Sequence, residues 1–189
     1  MDVGNATSIG AQSIELTLKL LEPYEGESLT IERRESSIVV SPTAQDSFAI
    51  TLYDQGDEAM IGADRWHTHY DDHEQAAFCV LWLLTPYYRL VHELKGGVLA
   101  ATWIECFGEQ GWEGYDPVYF LNPENALDWE THNGEQFSRR YIQQATVPPP
   151  HPFEELVPGA QLNENELPVD SHIGTHTVQV ESAMGPTLF

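Results

Sequence analysis

From Ala76 to Leu84 the chain reads Ala-Ala-Phe-Cys-Val-Leu-Trp-Leu-Leu, nine residues without a charge or an amide side chain. Asp72 stands just before this run as a good helix N-cap, and Gln75 three residues later gives a capping-box-like spacing. Pro86 stops the pattern, so the spacing predicts a helix from His73 to Leu84. Such a helix has no polar face to give to water. It must lie deep in the protein, or pack on a sheet with its back against something else. The run is also far short of the roughly 18 apolar residues that a membrane span needs.

The surrounding pattern supplies that sheet. Residues 28–33 and 36–41 read as strands around Arg34-Glu35. Ser47 to Tyr53 and Glu58 to His69 read as a hairpin joined by Asp54-Gln55-Gly56-Asp57, residues suited to a turn. Residues 14–22 alternate like a strand, while Leu16 and Leu20 also permit a short helix, and both readings stay open. Tyr87 to Phe107 forms the clearest hairpin, with Gly96-Gly97 as its tight turn. A two-residue loop there sets Leu94 opposite Leu99, His92 opposite Ala101 and Leu90 opposite Trp103. Leu90, His92, Leu94, Leu99 and Trp103 then share one face. A further strand is expected near Tyr115 to Leu121, and a helix from about Gly134 to Gln144.

The expected fold class is α+β: an antiparallel sheet of several hairpins packed against one or two helices, with a Pro-rich C-terminal extension. A length of 189 residues suits one domain with a real core. Its boundary falls where Val147-Pro148-Pro149-Pro150-His151-Pro152 forms a stiff break. Residues 1–146 are read as the acidic α+β domain and 147–189 as the acidic extension, in which Thr175 to Glu181 can add a strand or order on a partner.

The formal net charge is −22, from 30 acids against 8 lysines and arginines. This balance disfavours direct binding to nucleic acid or an anionic membrane and would steer a basic partner inward. Two cysteines, Cys79 and Cys106, fit neither a disulfide framework nor a CxxC zinc site. With small polar residues at 1–13 and Asp2 where a signal peptide is basic, the expected compartment is a reducing cytoplasm.

The densest chemical feature is Trp66-His67-Thr68-His69-Tyr70-Asp71-Asp72-His73-Glu74. Residues two apart on a strand point the same way, so His67 and His69 project together, with Asp71 and His73 following at the strand-to-helix corner. Imidazole and carboxylate suit zinc or another divalent transition metal, which makes His67, His69, Asp71 and His73 the candidate ligands of a metal-dependent hydrolase. The competing reading is a structural corner, in which Asp72 caps the helix and Asp71 and Glu74 favour its N-terminal end. The segment resembles the His-x-His-x-Asp-His signature of the metallo-β-lactamase fold, but Asp72 stands where the last histidine belongs and His73 comes one position late. The duplicated βαβ layout of that fold is also missing.

Trp66 to Asp71, the apolar run Ala76 to Leu84 and the hairpin Leu90 to Trp103 together resemble small bacterial proteins of unassigned function. The resemblance covers about a quarter of the chain. It implies the strand–helix–hairpin layout and carries no activity or catalytic residues.

No GxSxG elbow, P-loop or GxGxxG is present. In the register above His92 and Cys106 fall on opposite faces, so they form no nucleophilic pair, and His92 reads as a core histidine. Cys79, in an apolar helix, should be inert.

Between Gly96 and Ser138 there are eight acids and no lysine or arginine, among Trp103, Phe107, Trp112, Tyr115, Tyr119, Phe120 and Trp129. Acids around aromatics are what a surface for a basic protein needs: charge for steering and aromatics as anchors. The alternatives are core aromatics beneath a solvated acidic face, or a salt-adapted proteome, which the presence of only two lysines also fits. The leading expectation is a non-enzymatic acidic binding protein of inhibitor or immunity type, without a cofactor. It would cover a basic partner such as a nuclease toxin or a nucleic-acid-binding protein. Its candidate contact residues are Glu105, Glu109, Trp112, Glu113, Tyr115, Asp116, Asp128, Trp129 and Glu130. The alternatives are the metal-dependent hydrolase and an assembly protein that docks through its C-terminal tail.

Overall fold

The computed structural model describes residues 7–44, 47–95, 97–108, 111–120, 137–147 and 176–178. The apolar run forms α2 (His73–Leu83), capped by Asp72, whose side chain accepts the Gln75 N–H at 2.9 Å. It is preceded by α1 (Ile9–Leu21) and by five strands: β1 (Leu29–Arg33), β2 (Ser37–Pro42), β3 (Ile50–Asp54), β4 (Ala59–Ala63) and β5 (Trp66–Tyr70). These strands form an antiparallel meander, β1-β2-β3-β4-β5. After α2 come β6 (Tyr88–Lys95), β7 (Val98–Gly108), β8 (Gly111–Tyr119), β9 (Phe137–Gln143) and β10 (His176–Val178), in the order β10-β9-β6-β7-β8. The order β9-β6-β7-β8 is that of a Greek key: a three-strand meander whose fourth strand returns beside the first. The protein is therefore α+β, with two antiparallel sheets and two α-helices among the described residues.

The all-apolar α2 is explained by what surrounds it. It packs against α1, against β3, β4 and β5 of the first sheet, and against β6 of the second. Val80, Leu83 and Leu84 are fully buried and join Ile50, Leu52, Ile61, Leu90, Ile104 and Ile142 in one core drawn from both sheets. Each buried aliphatic side chain contributes about 1.5–3 kcal/mol. The last carbonyls of α2, which have no partner within the helix, are met by the residues that follow β9. Leu84 O accepts from Thr146 N at 2.8 Å, and Leu83 O accepts from the Gln144 amide at 3.2 Å.

The first sheet alternates as a half-buried sheet should. Ile38, Val40, Ile50, Leu52, Ala59, Ile61, Ala63 and Trp66 face the helices, while Val39, Thr51, Tyr53, Met60, His67 and His69 take the opposite face.

Four local readings differ from the sequence pattern. Residues 14–22, left open between strand and helix, are helical: α1 runs from Ile9 to Leu21 with Glu22 as its C-cap. Its buried stripe is Gly10, Ser13, Thr17 and Leu21, mostly small residues, so the helical period is weak in large apolar side chains. Glu58 to His69 is two strands rather than one, broken at Asp64-Arg65, where Asp64 adopts a left-handed φ of 52°. The helix expected near Gly134 to Gln144 is strand β9; pairing with the open side of β6 overrides local propensity there. The expected strand at Tyr115 begins earlier, at Gly111. The tail's possible strand is present as β10, paired with β9, and the Pro-rich break beyond Val147 lies outside the described residues.

The start of α1 is tied to the β3–β4 turn. The Ser8 hydroxyl accepts the Ala11 N–H at 3.1 Å and donates to the Asp54 carboxylate at 2.8 Å, while Asp54 also accepts the Gly56 N–H. Gly10 sits so close that a Cβ there would fall 2.4 Å from Asp54 Cα. Backbone cannot yield like a flexible side chain, so Gly10→Ala should destabilise the protein by about 1–3 kcal/mol. Urea unfolding should show a lower midpoint with an unchanged slope. A midpoint equal to that of the natural chain would contradict the close packing of α1 on β3.

Candidate functional site

The β6–β7 hairpin carries most of the residues singled out from the sequence. Its first pairs are those expected, Lys95 with Val98 and Leu94 with Leu99. Ala100 is then an extra residue, and the register moves on by one: Glu93 pairs with Ala101, His92 with Thr102, Val91 with Trp103 and Leu90 with Ile104. The expected pairs His92–Ala101 and Leu90–Trp103 are corrected accordingly. A slip of one residue exchanges the faces of everything beyond it. Leu90, His92, Thr102, Ile104 and Cys106 share the core-facing side, and Trp103 moves to the other face with Val91 and Glu105.

His92 and Cys106 are thus on one face, contrary to the sequence-based register. They are nevertheless far apart, since Thr102 and Cys106 are four residues distant, about 13 Å along a strand. Burial pushes the Cys106 thiol up, so it is poorly ionised at neutral pH. The Tyr115 phenol, bonded to the Cys106 thiol and to Glu113, is pushed up to about 12.

The far face of the second sheet is a stack of aromatics and guanidinium groups. The Arg89 guanidinium lies 4.0 Å from the Trp112 ring centroid and 4.1 Å from that of Tyr141, and its Nε donates to Glu105 at 2.7 Å. Trp103 Nε1 donates to the other Glu105 oxygen at 3.0 Å, and Arg139 sits 5.2 Å from the Trp103 ring while pairing with Glu93. Gly114 lets this indole lie flat, because a Cβ there would fall 3.1 Å from Trp103 Cδ1. Glu105 is only 8 % exposed.

Among the nine residues expected to meet a partner, Glu105 is therefore neutralised inside the chain, and Trp112 is half-buried on Arg89 and Phe107. Glu113 and Tyr115 are exposed on β8, an edge strand, with the Tyr115 hydroxyl donating to Glu113 at 3.1 Å. Asp116 lies on the same strand. Glu109, Asp128, Trp129 and Glu130 lie outside the described residues. Phe120, just past β8, is exposed beneath Arg65. Sequence reading missed the β4–β5 turn as the joint between the sheets, for nothing in Asp64-Arg65 announces a distant contact.

At that joint His92 is buried, with Nε2 3.1 Å from Asp64 Oδ2, near enough for charge attraction but off the alignment of a hydrogen bond. Burial lowers the basicity of His92, Asp64 opposes this, and Arg140 and Arg65 reinforce it. The folded protein therefore favours the neutral imidazole. Lowering the pH below the ordinary histidine value of 6.5 protonates the unfolded chain first, so stability falls with pH in that window. His92→Gln should remove this component. Its stability deficit relative to the natural chain, from denaturant curves between about pH 5 and 7.5, should shrink as pH falls. A deficit independent of pH would contradict it.

The histidine cluster divides. His67 and His69 project from one face of β5, both exposed, with ring centroids 5.6 Å apart, and His69 Nδ1 lies 2.9 Å from Glu58 Oε1. Asp71 is exposed at the corner, Asp72 caps α2, and His73 is the first residue of the helix. Among the described residues no group of three or more His, Cys, Asp and Glu side chains is arranged to hold a metal ion. No helix among them is long and apolar enough to cross a membrane. No family model, curated protein or solved structure matches the chain.

Proposed function

We propose that this chain is an acidic binding protein whose contact surface is centred on the β8 edge of the second sheet and which covers a basic protein partner. The observation that carries the reading is the fate of the charges. Arg33 pairs with Glu25, Arg34 with Glu32, Arg89 with Glu105 and Arg139 with Glu93. These pairs engage only four of the 30 acids, and the net charge of the chain is −22. Among the described residues β8 is an edge strand; it offers Glu113 and Tyr115 to solvent, and Phe120 is exposed just past its far end. Charge would speed the encounter and the aromatics would supply desolvated contact area. An inhibitor or immunity role, with a nuclease toxin or nucleic-acid-binding protein as partner, is the finer form of the same proposal.

The test is affinity capture from the source cells with the natural chain and with a Glu113→Lys/Tyr115→Ala variant. A basic protein should be retained by the natural chain at low salt, released at high ionic strength and lost with the variant. Capture of the same proteins by both chains, or retention indifferent to salt, would contradict the proposal.

A further inference from the structure

The open face of the first sheet carries a feature unrelated to the acidic edge. On β5, the last strand of the meander, His67 and His69 stand on the same side, both exposed. Glu58 makes a polar contact to this pair. An ionised carboxylate only accepts hydrogen bonds, so the proton of the neutral His69 ring must sit on Nδ1, donated to Glu58 Oε1 at 2.9 Å. Nε2 is then left with its lone pair. A carboxylate holding one ring nitrogen so that the other can ligate is the usual outer support of a metal-binding histidine.

The ring spacing fits a shared ion. With metal–nitrogen bonds of about 2.0–2.1 Å and a ring nitrogen about 1.1 Å from its centroid, a tetrahedral ion would hold two imidazole centroids about 5.2 Å apart. The observed separation of 5.6 Å, with the rings at 80° to each other, is close to that. Met60 is the direct cross-strand partner of His69, which places a thioether on the same face; its sulfur accepts from the Gln55 amide at 3.3 Å.

We propose that His67 and His69 form a two-imidazole chelate for a divalent late transition-metal ion, with Glu58 fixing the His69 tautomer and Met60 flanking the site. Asp71 and His73 take no part. Two protein ligands make an open site, completed by water or by an outside ligand, unlike the closed set of a structural zinc centre. Imidazole ligation ranks Cu²⁺ above Ni²⁺ and Zn²⁺. The large negative charge raises the local cation concentration without choosing among ions.

The experiment is calorimetric titration of the full chain with CuCl₂ and, separately, ZnCl₂, alongside His67→Ala, His69→Ala, the double variant and Glu58→Gln, with Cu²⁺ electron paramagnetic resonance on each. Both histidines are exposed, so the variants should keep the natural circular dichroism and melting curve. One ion should bind per chain above the weak background of carboxylates, with Cu²⁺ tighter than Zn²⁺. The copper spectrum should show coupling to two nitrogens. Each His→Ala change should weaken binding more than about tenfold, and Glu58→Gln by about tenfold. Equal Cu²⁺ affinity in the natural chain and the double variant, or a spectrum without two-nitrogen coupling, would overturn the proposal. A Glu58→Gln affinity equal to that of the natural chain would overturn the role of Glu58.

Discussion

The burial of most of α2, at Ala76, Ala77 and Val80 to Leu83, is the constraint on which the remaining structure depends. A helix without a polar face cannot lie on a surface, so the chain must place material around it. The meander and α1 cover one side, and β6 with its neighbours covers another. The two sheets meet through this helix, with Leu52 and Ile61 from one and Leu90 and Ile104 from the other in a single core. Gln144 and Thr146, just after β9, complete the arrangement by meeting the carbonyls of Leu83 and Leu84. A polar substitution in α2 would therefore disturb both sheets together.

That constraint was readable because it lies in consecutive residues. Asp72, Gln75, the apolar run and Pro86 announce α2 directly, and Gly96-Gly97 announces the hairpin after it. Other features were hidden because they depend on partners distant in the chain. Small residues at Gly10, Ser13 and Thr17 are buried by close approach to the rest of the protein, a preference that hydrophobic periodicity does not register. β9 contains Arg139-Arg140 beside Tyr141 and Ile142, and only the free side of β6 makes that segment a strand. The bulge at Ala100 has no turn residue to mark it, yet it exchanges the faces of His92 and Trp103.

The candidate sites show the same division. The alternation of His67 and His69 fixed their common face, whereas the support from Glu58 needed the β4–β5 pairing that sets Ala59 opposite Tyr70. The base-free stretch located the acidic edge, but it could not distinguish Glu105 from Glu113. The first is buried between Arg89 and Trp103, and the second is exposed on an edge strand. Composition counts charges; only packing decides which of them stay exposed.

Native-state hydrogen exchange of the α2 amides tests the central burial most directly. If α2 is enclosed by both sheets, the amides of Val80 to Leu84 should exchange only through global unfolding, with a free energy equal to that from denaturant curves. Exchange of these amides through a local opening of markedly lower free energy, while the β6–β7 amides stay protected, would contradict a helix that holds the two sheets together.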